Sequence, residues 1–387
     1  MYKIRLMNKI AQVGLERLEP ARFSVSDNDS DPSGILVRSE NMNGMELPEN
    51  LLAIARAGAG VNNIPVAACA DKGIVVFNTP GANANAVREL AVCALFLSSR
   101  DIISGVDWVR KLEGDVPALV EKGKSQFTGP EILDKKLGVV GLGAIGVGVA
   151  NAGHHLGMEV IGYDPYISVD AAWMLSRSVK NSRDLRQLIA ECDYISLHVP
   201  LNARTRGMFN AETFAQMKDG VRILNFARAE LVDDADLLSA LDSGKVAKYV
   251  TDFPNGKLLT HKSVLPIPHL GASTPESEDN CAVMAVNELK DYLLYGNIKN
   301  SVNFPDVSLP PFGGYTRLCV IHKNIPNILS AISTIIGENG INIEDMVNKS
   351  KNEYAYTMLN ANADIDGSIA EKLSDADGII KVRVLKD

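Results

Sequence analysis

Three side chains near the ends of apolar segments have the types that a shared chemistry would need: Arg228 in Asn225-Phe226-Ala227-Arg228, Asp252 in Val250-Thr251-Asp252-Phe253-Pro254, and His269 in Pro266-Ile267-Pro268-His269. A guanidinium can hold an α-carboxylate and the neighbouring carbonyl through paired hydrogen bonds. An imidazole can take a hydroxyl proton while hydride leaves the same carbon. Oxidation of a 2-hydroxy acid needs both. Taken singly each residue also has a plainer reading: Arg228 as a surface ion pair, His269 as a packed core histidine, Asp252 as a helix cap.

What weakens those readings is the stretch Lys136-Leu137-Gly138-Val139-Val140-Gly141-Leu142-Gly143-Ala144-Ile145-Gly146. It reads as strand, tight turn and helix: Gly141 permits the turn, Gly143 lets backbone N–H groups reach a pyrophosphate, and Gly146 lets the helix pack closely. Glycine-rich strand ends are common, so the context matters. A second apolar strand, Met158 to Tyr163, ends in Asp164. A carboxylate there accepts both ribose hydroxyls and repels a 2′-phosphate, which favours NAD over NADP. The alternative for Asp164 is a turn or capping aspartate before Pro165.

Composition narrows the partners. A chain of 387 residues, 46% hydrophobic and 22% charged, has ordinary globular composition and room for two or three domains. Its net charge of -8 argues against nucleic acid as the main partner. Five scattered cysteines without CxxC or His-rich spacing argue for reduced thiols and against a zinc site, and no apolar run approaches a membrane span. The expectation is a soluble cytoplasmic protein without a metal.

The elements that must position these groups alternate. Residues 1 to about 100 carry short apolar segments (Gly34 to Val37, Leu51 to Ala55, Gly73 to Asn78) followed by polar turns, and then a helix from Asn83 to Leu97. This βα pattern predicts a small open sheet, with ligands outside the carboxyl ends of its strands. Beyond Asp164, strands are expected near Ser178, at Tyr194 to Val199, Val221 to Phe226 and Lys248 to Asp252, giving a doubly wound parallel sheet. Residues 100 to 134 show no clear pattern. A long helix is expected from Ser273 to Tyr295, then a linker rich in Pro and Gly at 305–314, and a separate βαββαβ module from Tyr315 to Asp387.

The chain resembles the D-2-hydroxyacid dehydrogenases, in particular the branch that carries one C-terminal ACT domain and acts on 3-phosphoglycerate. Matching stretches run nearly end to end: Gly58 to Ile64, Val76 to Gly81, the glycine turn, His198-Val199-Pro200, Arg228, and Pro268 to Thr274. The resemblance implies a Rossmann-type domain (97–273) inserted into a smaller flavodoxin-like substrate domain (1–96 and 274–304), with the ACT domain at 315–387. It implies NAD-dependent oxidation of 3-phosphoglycerate to 3-phosphohydroxypyruvate, the first step of serine synthesis, by a homodimer or homotetramer. Arg228 and His269 take the catalytic positions, and Arg38, Ser39, Gly58, Ala59 and Asn83 the substrate positions. Gly141, Gly143, Ala144, Ile145, Gly146, Asp164, His198, Val199, Pro200, Thr205, Asn225, Ala227, Asp252 and Gly271 fall around the cofactor. His322, Asn324 and Asn342 match positions that bind L-serine. Rival readings are a glyoxylate or hydroxypyruvate reductase, and a binding protein that senses NADH; Arg38 argues against the first, intact Arg228 and His269 against the second.

Two positions depart from the family pattern. A glutamate expected shortly after Asp252, where it would pair with the histidine, is absent from Asp252-Phe253-Pro254-Asn255-Gly256-Lys257, its place falling at Lys257, or at Gly256 if the loop is one residue shorter. Either another carboxylate such as Glu230 substitutes, or turnover is slow. In the ACT module the glycine expected after Pro326 is Asn327, a residue that tolerates a left-handed backbone but has a side chain to place.

Overall fold

Gly34–Val37 is buried along its whole length because it lies in the middle of a parallel sheet covered on both faces. In the computed structural model, which describes residues 1–314 and 316–386, this sheet contains β1 (Tyr2–Leu6), β2 (Phe23–Ser26), β3 (Gly34–Val37), β4 (Ala53–Arg56) and β5 (Val75–Phe77) in the order β2-β1-β3-β4-β5. That is the flavodoxin-like order. The expected ends of the C-terminal module, Tyr315 and Asp387, lie outside the described residues. One sheet face packs on the long helix Pro275–Tyr295, whose Ala282, Ala285, Val286, Leu289 and Leu293 recur at helical spacing. The other packs on Met42, Leu47, Leu51, Ile64 and Cys69. Residues 1–83 and 275–387 form one unit of the chain, and residues 84–274 a second.

The second unit holds seven parallel strands: β6 (Lys136–Val140), β7 (Glu159–Tyr163), β8 (Lys180–Asn181), β9 (Tyr194–Leu197), β10 (Val221–Asn225), β11 (Val246–Thr251) and β12 (Val264–Pro266). Their order, β8-β7-β6-β9-β10-β11-β12, reverses direction between β6 and β9. This is the doubly wound arrangement, with its ligand crevice at that reversal. The helix Ala84–Ser99 belongs wholly to this unit, since its Val87, Ala91, Ala94 and Leu95 share a core with Leu137, Val139 and Leu224. The crossing from one unit to the other therefore falls at residue 84, whereas the sequence expectation put it at 97. The unpatterned stretch 100–134 forms two short helices, Ile102–Val109 and Val116–Gly123, with a 3-10 turn at Lys124–Phe127.

The C-terminal module has β13 (Thr316–Lys323), β14 (Ile343–Lys351), β15 (Tyr354–Ala361) and β16 (Ile379–Leu385) in the antiparallel order β14-β15-β13-β16, with helices Ile328–Glu338 and Gly367–Ser374. Side chains alternate across β13. Leu318 and Val320 meet Ile332, Ile336 and Leu373 in the module's own core, while Cys319 and Ile321 join Phe77, Tyr292, Phe304 and Phe312. The module is thus fused to the core of the first unit. Its polar groups finish the long helix: Arg383 donates to the Tyr292 and Leu293 carbonyls at 3.3 and 3.0 Å, and Tyr356 Oη to the Gly296 carbonyl at 2.7 Å, satisfying acceptors that a helix C-terminus leaves open. Val307 and Phe312 are buried, so the stretch 305–314, expected to be a linker, is packed along the unit as a strap.

Candidate active site

The glycine turn is fixed by backbone sterics. Gly141 has φ of 93°, and a Cβ there would lie 2.6 Å from the His198 carbonyl oxygen, so only glycine fits. A Cβ on Gly146 would run into the Gly141 carbonyl oxygen. Gly143 differs, since a Cβ on it would meet nothing within 4 Å. It is the N-cap of Ala144–His155 and makes no side-chain capping bond, and the first turn carries no acidic residue. No side chain caps the N–H groups of this helix end, which suits them to an anion.

Asp164 is held over the same turn. Its Oδ2 accepts the Leu142 N–H and its Oδ1 the Tyr166 N–H, both at 2.8 Å, leaving lone pairs on each oxygen for hydroxyl donors. The next wall is His198, whose N–H donates to the Val140 carbonyl at 2.7 Å and whose Nε2 lies 2.8 Å from Ser196 Oγ. Burial pushes this imidazole down to about 4, so it stays neutral at neutral pH. Val199 and Pro200 continue into a turn tied by Thr205, whose Oγ1 donates to the Pro200 carbonyl at 2.6 Å. A pyrophosphate cradle and a ribose acceptor in these positions fit an NAD-type dinucleotide.

At the ends of β10, β11 and β12 lies a second set. Asn225 is fully buried; its Oδ1 accepts the Ala227 and Arg228 N–H groups, and its Nδ2 donates to the Arg228 carbonyl and to Tyr249 Oη. This side chain shapes the loop that presents Arg228. The guanidinium is exposed, anchored by Nη1 on the Ala227 carbonyl at 2.6 Å, and joined to no carboxylate by an ion pair among the described residues. Asp252 is 2% exposed; its Oδ2 accepts the Gly271 N–H at 3.3 Å, while Oδ1 has no hydrogen-bond partner. Burial raises its pKa, and His269, the Gly271 N–H and Arg228 pull in the other direction. The His269 ring is exposed and rests against Phe253, with centroids 4.7 Å apart. A cation free to bind an oxyanion and an accessible imidazole next to a buried carboxylate suffice for proton transfer beside a bound 2-hydroxy acid.

The first unit gathers its own polar turns at the carboxyl ends of its strands. Asn8 Oδ1 accepts the N–H groups of Arg38, Ser39 and Glu40 at 3.2, 3.0 and 2.8 Å, and Arg38 Nη1 lies 2.8 Å from Glu278 Oε1. The Gly58 carbonyl accepts the Thr79 N–H, and the Ala59 carbonyl accepts Asn78 Nδ2 at 2.6 Å. Asn83 ends this segment of the unit. In the C-terminal module His322 is buried, with Nδ1 2.8 Å from the Lys323 carbonyl and Nε2 2.9 Å from Thr357 Oγ1. Asn324 Nδ2 donates to the Asn352 carbonyl, and Asn342 Nδ2 to Glu344. Asn327 has φ of 69°, so the left-handed position is retained. Sequence reasoning missed Asn8, Ser196, Phe253 and Tyr249. An asparagine just past an apolar strand and an aromatic next to a strand-end aspartate were signals for the first and third; the other two are interior strand residues with no local mark.

A parallel sheet that reverses at a glycine cradle, with an acidic residue closing the next strand, is the arrangement of a nicotinamide-dinucleotide-binding domain. Residues 92–271 match the model of the D-isomer specific 2-hydroxyacid dehydrogenase NAD binding domain. The chain is 31% identical to the D-3-phosphoglycerate dehydrogenase of Haemophilus influenzae over 355 residues, 88% of this chain and 83% of that one. It is 34% identical to the enzyme of the same name from Methanocaldococcus jannaschii over 74% of this chain, but spans only 54% of that longer protein. Among solved structures it resembles NAD+-bound 3-phosphoglycerate dehydrogenase of Entamoeba histolytica, with a TM-score of 0.61 and 27% identity over 78% of this chain and 98% of that one. The chain belongs to the D-isomer specific 2-hydroxyacid dehydrogenase family, and its cofactor is NAD.

Proposed function

We propose that this chain oxidises 3-phosphoglycerate at C2 to 3-phosphohydroxypyruvate, the reaction that opens serine synthesis. The observation that carries the reading is the similarity to the Haemophilus D-3-phosphoglycerate dehydrogenase, which extends over most of both chains. When bound, NAD supplies the nicotinamide that accepts the hydride. The chain's own residues do the rest. The free helix end at Gly143 to Gly146 and Asp164 hold the dinucleotide, with His198, Val199, Pro200, Thr205, Asn225, Ala227 and Gly271 shaping its surroundings. Arg228 holds the substrate carboxylate and polarises the developing carbonyl; His269 removes the hydroxyl proton. Arg38, Ser39, Gly58, Ala59 and Asn83 are assigned to the substrate, with Arg38 exchanging Glu278 for the phosphate.

The same proposal gives residues 1–83 and 275–304 to substrate binding and the C-terminal module to regulation, with L-serine at His322, Asn324 and Asn342. Ile102, Ile103, Val106, Val109, Val116 and Leu119 are exposed apolar residues on the two short helices, which supports a homodimer or homotetramer. Free cysteines suit a reducing cytoplasm. The test is NADH formation with 3-phosphoglycerate and with D-glycerate, the product being drawn off. A preference for 3-phosphoglycerate is expected; equal or greater turnover of D-glycerate, or none of either, refutes the assignment.

A further inference from the structure

We propose that Asp252 positions His269, the task that the resemblance gives to a glutamate at 257 or 256. This rests on the dehydrogenase reading and adds a task to a residue otherwise assigned to the cofactor. Thr251 and Pro266 are register partners in β11 and β12, and the Ile267 N–H donates to the Thr251 carbonyl at 2.8 Å. The two strands therefore end together, one residue before Asp252 and three before His269. The Gly271 N–H secures Oδ2 from beyond the histidine, and Phe253 packs against the ring at a tilt of 50°. Oδ1 is left shielded from solvent without a partner.

A buried carboxylate oxygen without a donor is costly, and the cost is recovered only when a donor or cation faces it. The cationic groups that act on this carboxylate are His269 and Arg228. Arg228 spends Nη1 on the Ala227 carbonyl. Lys257 is exposed, and its loop is turned locally by Asn255, whose Oδ1 accepts the Lys257 N–H at 3.1 Å and whose Nδ2 donates to Asp234 at 2.8 Å. Glu230 is exposed on the turn Ala229–Leu231, and no hydrogen bond or ion pair joins it to His269 among the described residues. In the proposed arrangement one ring N–H of His269 turns to Oδ1, the oxygen that has no partner in this structure, and the other nitrogen is the base. The hydroxyl O–H bond breaks as the new N–H bond forms on His269, the hydride leaves C2 for NAD, and the resulting imidazolium faces the ionised carboxylate.

The experiment uses Asp252→Asn, which keeps the side-chain shape, and follows two readouts: the pH profile of kcat/KM and the NMR titration of the His269 ring in the protein without substrate. An opposite charge nearby favours the protonated form of an imidazole, so its loss should move the acidic limb and the ring titration to lower pH. kcat should fall on the order of 10²-fold or more, as when an orienting carboxylate becomes an amide elsewhere. Adding Lys257→Glu to that variant should restore part of kcat and return the limb upward, and Glu230→Gln should behave as native. An unmoved His269 titration in Asp252→Asn, or the same shift in Glu230→Gln, overturns the proposal. Should Asp252→Asn not fold, Lys257→Glu in the native chain decides: less than about a twofold gain in kcat is expected with Asp252 in place, and a tenfold gain refutes it. Native protein that turns over no 2-hydroxy acid would sink the functional reading instead, and the substrate-free titration still reports on Asp252.

Discussion

Two histidines in the second unit sit at strand ends and have been put to opposite uses. His198 is half-buried, bonded to Ser196 and kept neutral, with its carbonyl walling the glycine turn. His269 is exposed, held by a ring contact with Phe253 and by no hydrogen bond to its imidazole among the described residues. The contrast extends to their neighbours: Asn225 has its oxygen and nitrogen satisfied, whereas Asp252 keeps an unpartnered oxygen and Arg228 an open guanidinium. In this pair of histidines and their neighbours, the groups that shape the scaffold are the saturated ones. Groups that are to act on a ligand are left with bonding capacity, at a cost that folding elsewhere offsets.

The largest expected effects lie on the unsaturated side. His269→Ala should lower kcat by roughly 10²- to 10⁴-fold with the NAD dissociation constant nearly unchanged. Arg228→Lys should raise the KM for the hydroxy acid as well as lower kcat, because an ammonium cannot make the planar pair of hydrogen bonds. Steady-state kinetics beside a fluorescence titration of NADH separates these outcomes. Near-normal turnover in His269→Ala would mean that the division between working and structural histidines is drawn in the wrong place.

On the scaffold side, Gly141→Ala should cost about 2–4 kcal/mol of stability, from a left-handed backbone and a Cβ against the His198 carbonyl. Urea unfolding measures it. A change under about 0.5 kcal/mol, the range of an ordinary surface substitution, would show that the turn relaxes and does not dictate its residue.

The same contrast explains what could be read from the chain. The glycine turn, Asp164 and the strands that carry them follow from local sterics and periodicity, so Gly141 and Gly146 were recognisable from their spacing. The missing glutamate near Lys257 was visible too, but what stands in its place was not, since the proximity of Asp252 to His269 depends on the pairing of β11 with β12, and β12 carries no strand pattern of its own. The crossing at residue 84 and the packed strap at 305–314 were likewise hidden. Both depend on which core Ala91, Val307 and Phe312 join, and burial partners across a fold leave no local spacing.

Asp164 stands between the two classes, since its oxygens each hold a backbone N–H and still offer lone pairs. Asp164→Ala should weaken NAD relative to NADP by about 10- to 100-fold, the range of charge-assisted hydrogen bonds. Calorimetric titration of both cofactors gives the ratio. Equal losses would assign the residue to the scaffold alone.

The smallest effect should come from His198 itself, and it tests whether the two histidines are independent. Its imidazole titrates at about 4 in the folded chain, below the value of about 6.5 expected when unfolded. Above 6.5 neither state takes up the proton. Between 6.5 and 4 the unfolded chain binds a proton that the folded chain refuses, so stability is lost as pH falls through this window, and the loss is complete below it. Because the side chain is partly exposed, we expect roughly 1–2 kcal/mol. Urea melts at pH 7 and pH 4.5 should therefore differ by that much more in the native protein than in His198→Gln, which cannot titrate there. The acidic limb of activity, set by His269, should stay where it was in the variant. A limb that moved with His198→Gln would show the two rings to be coupled, and the neutral wall of the cradle would then be part of the proton chemistry.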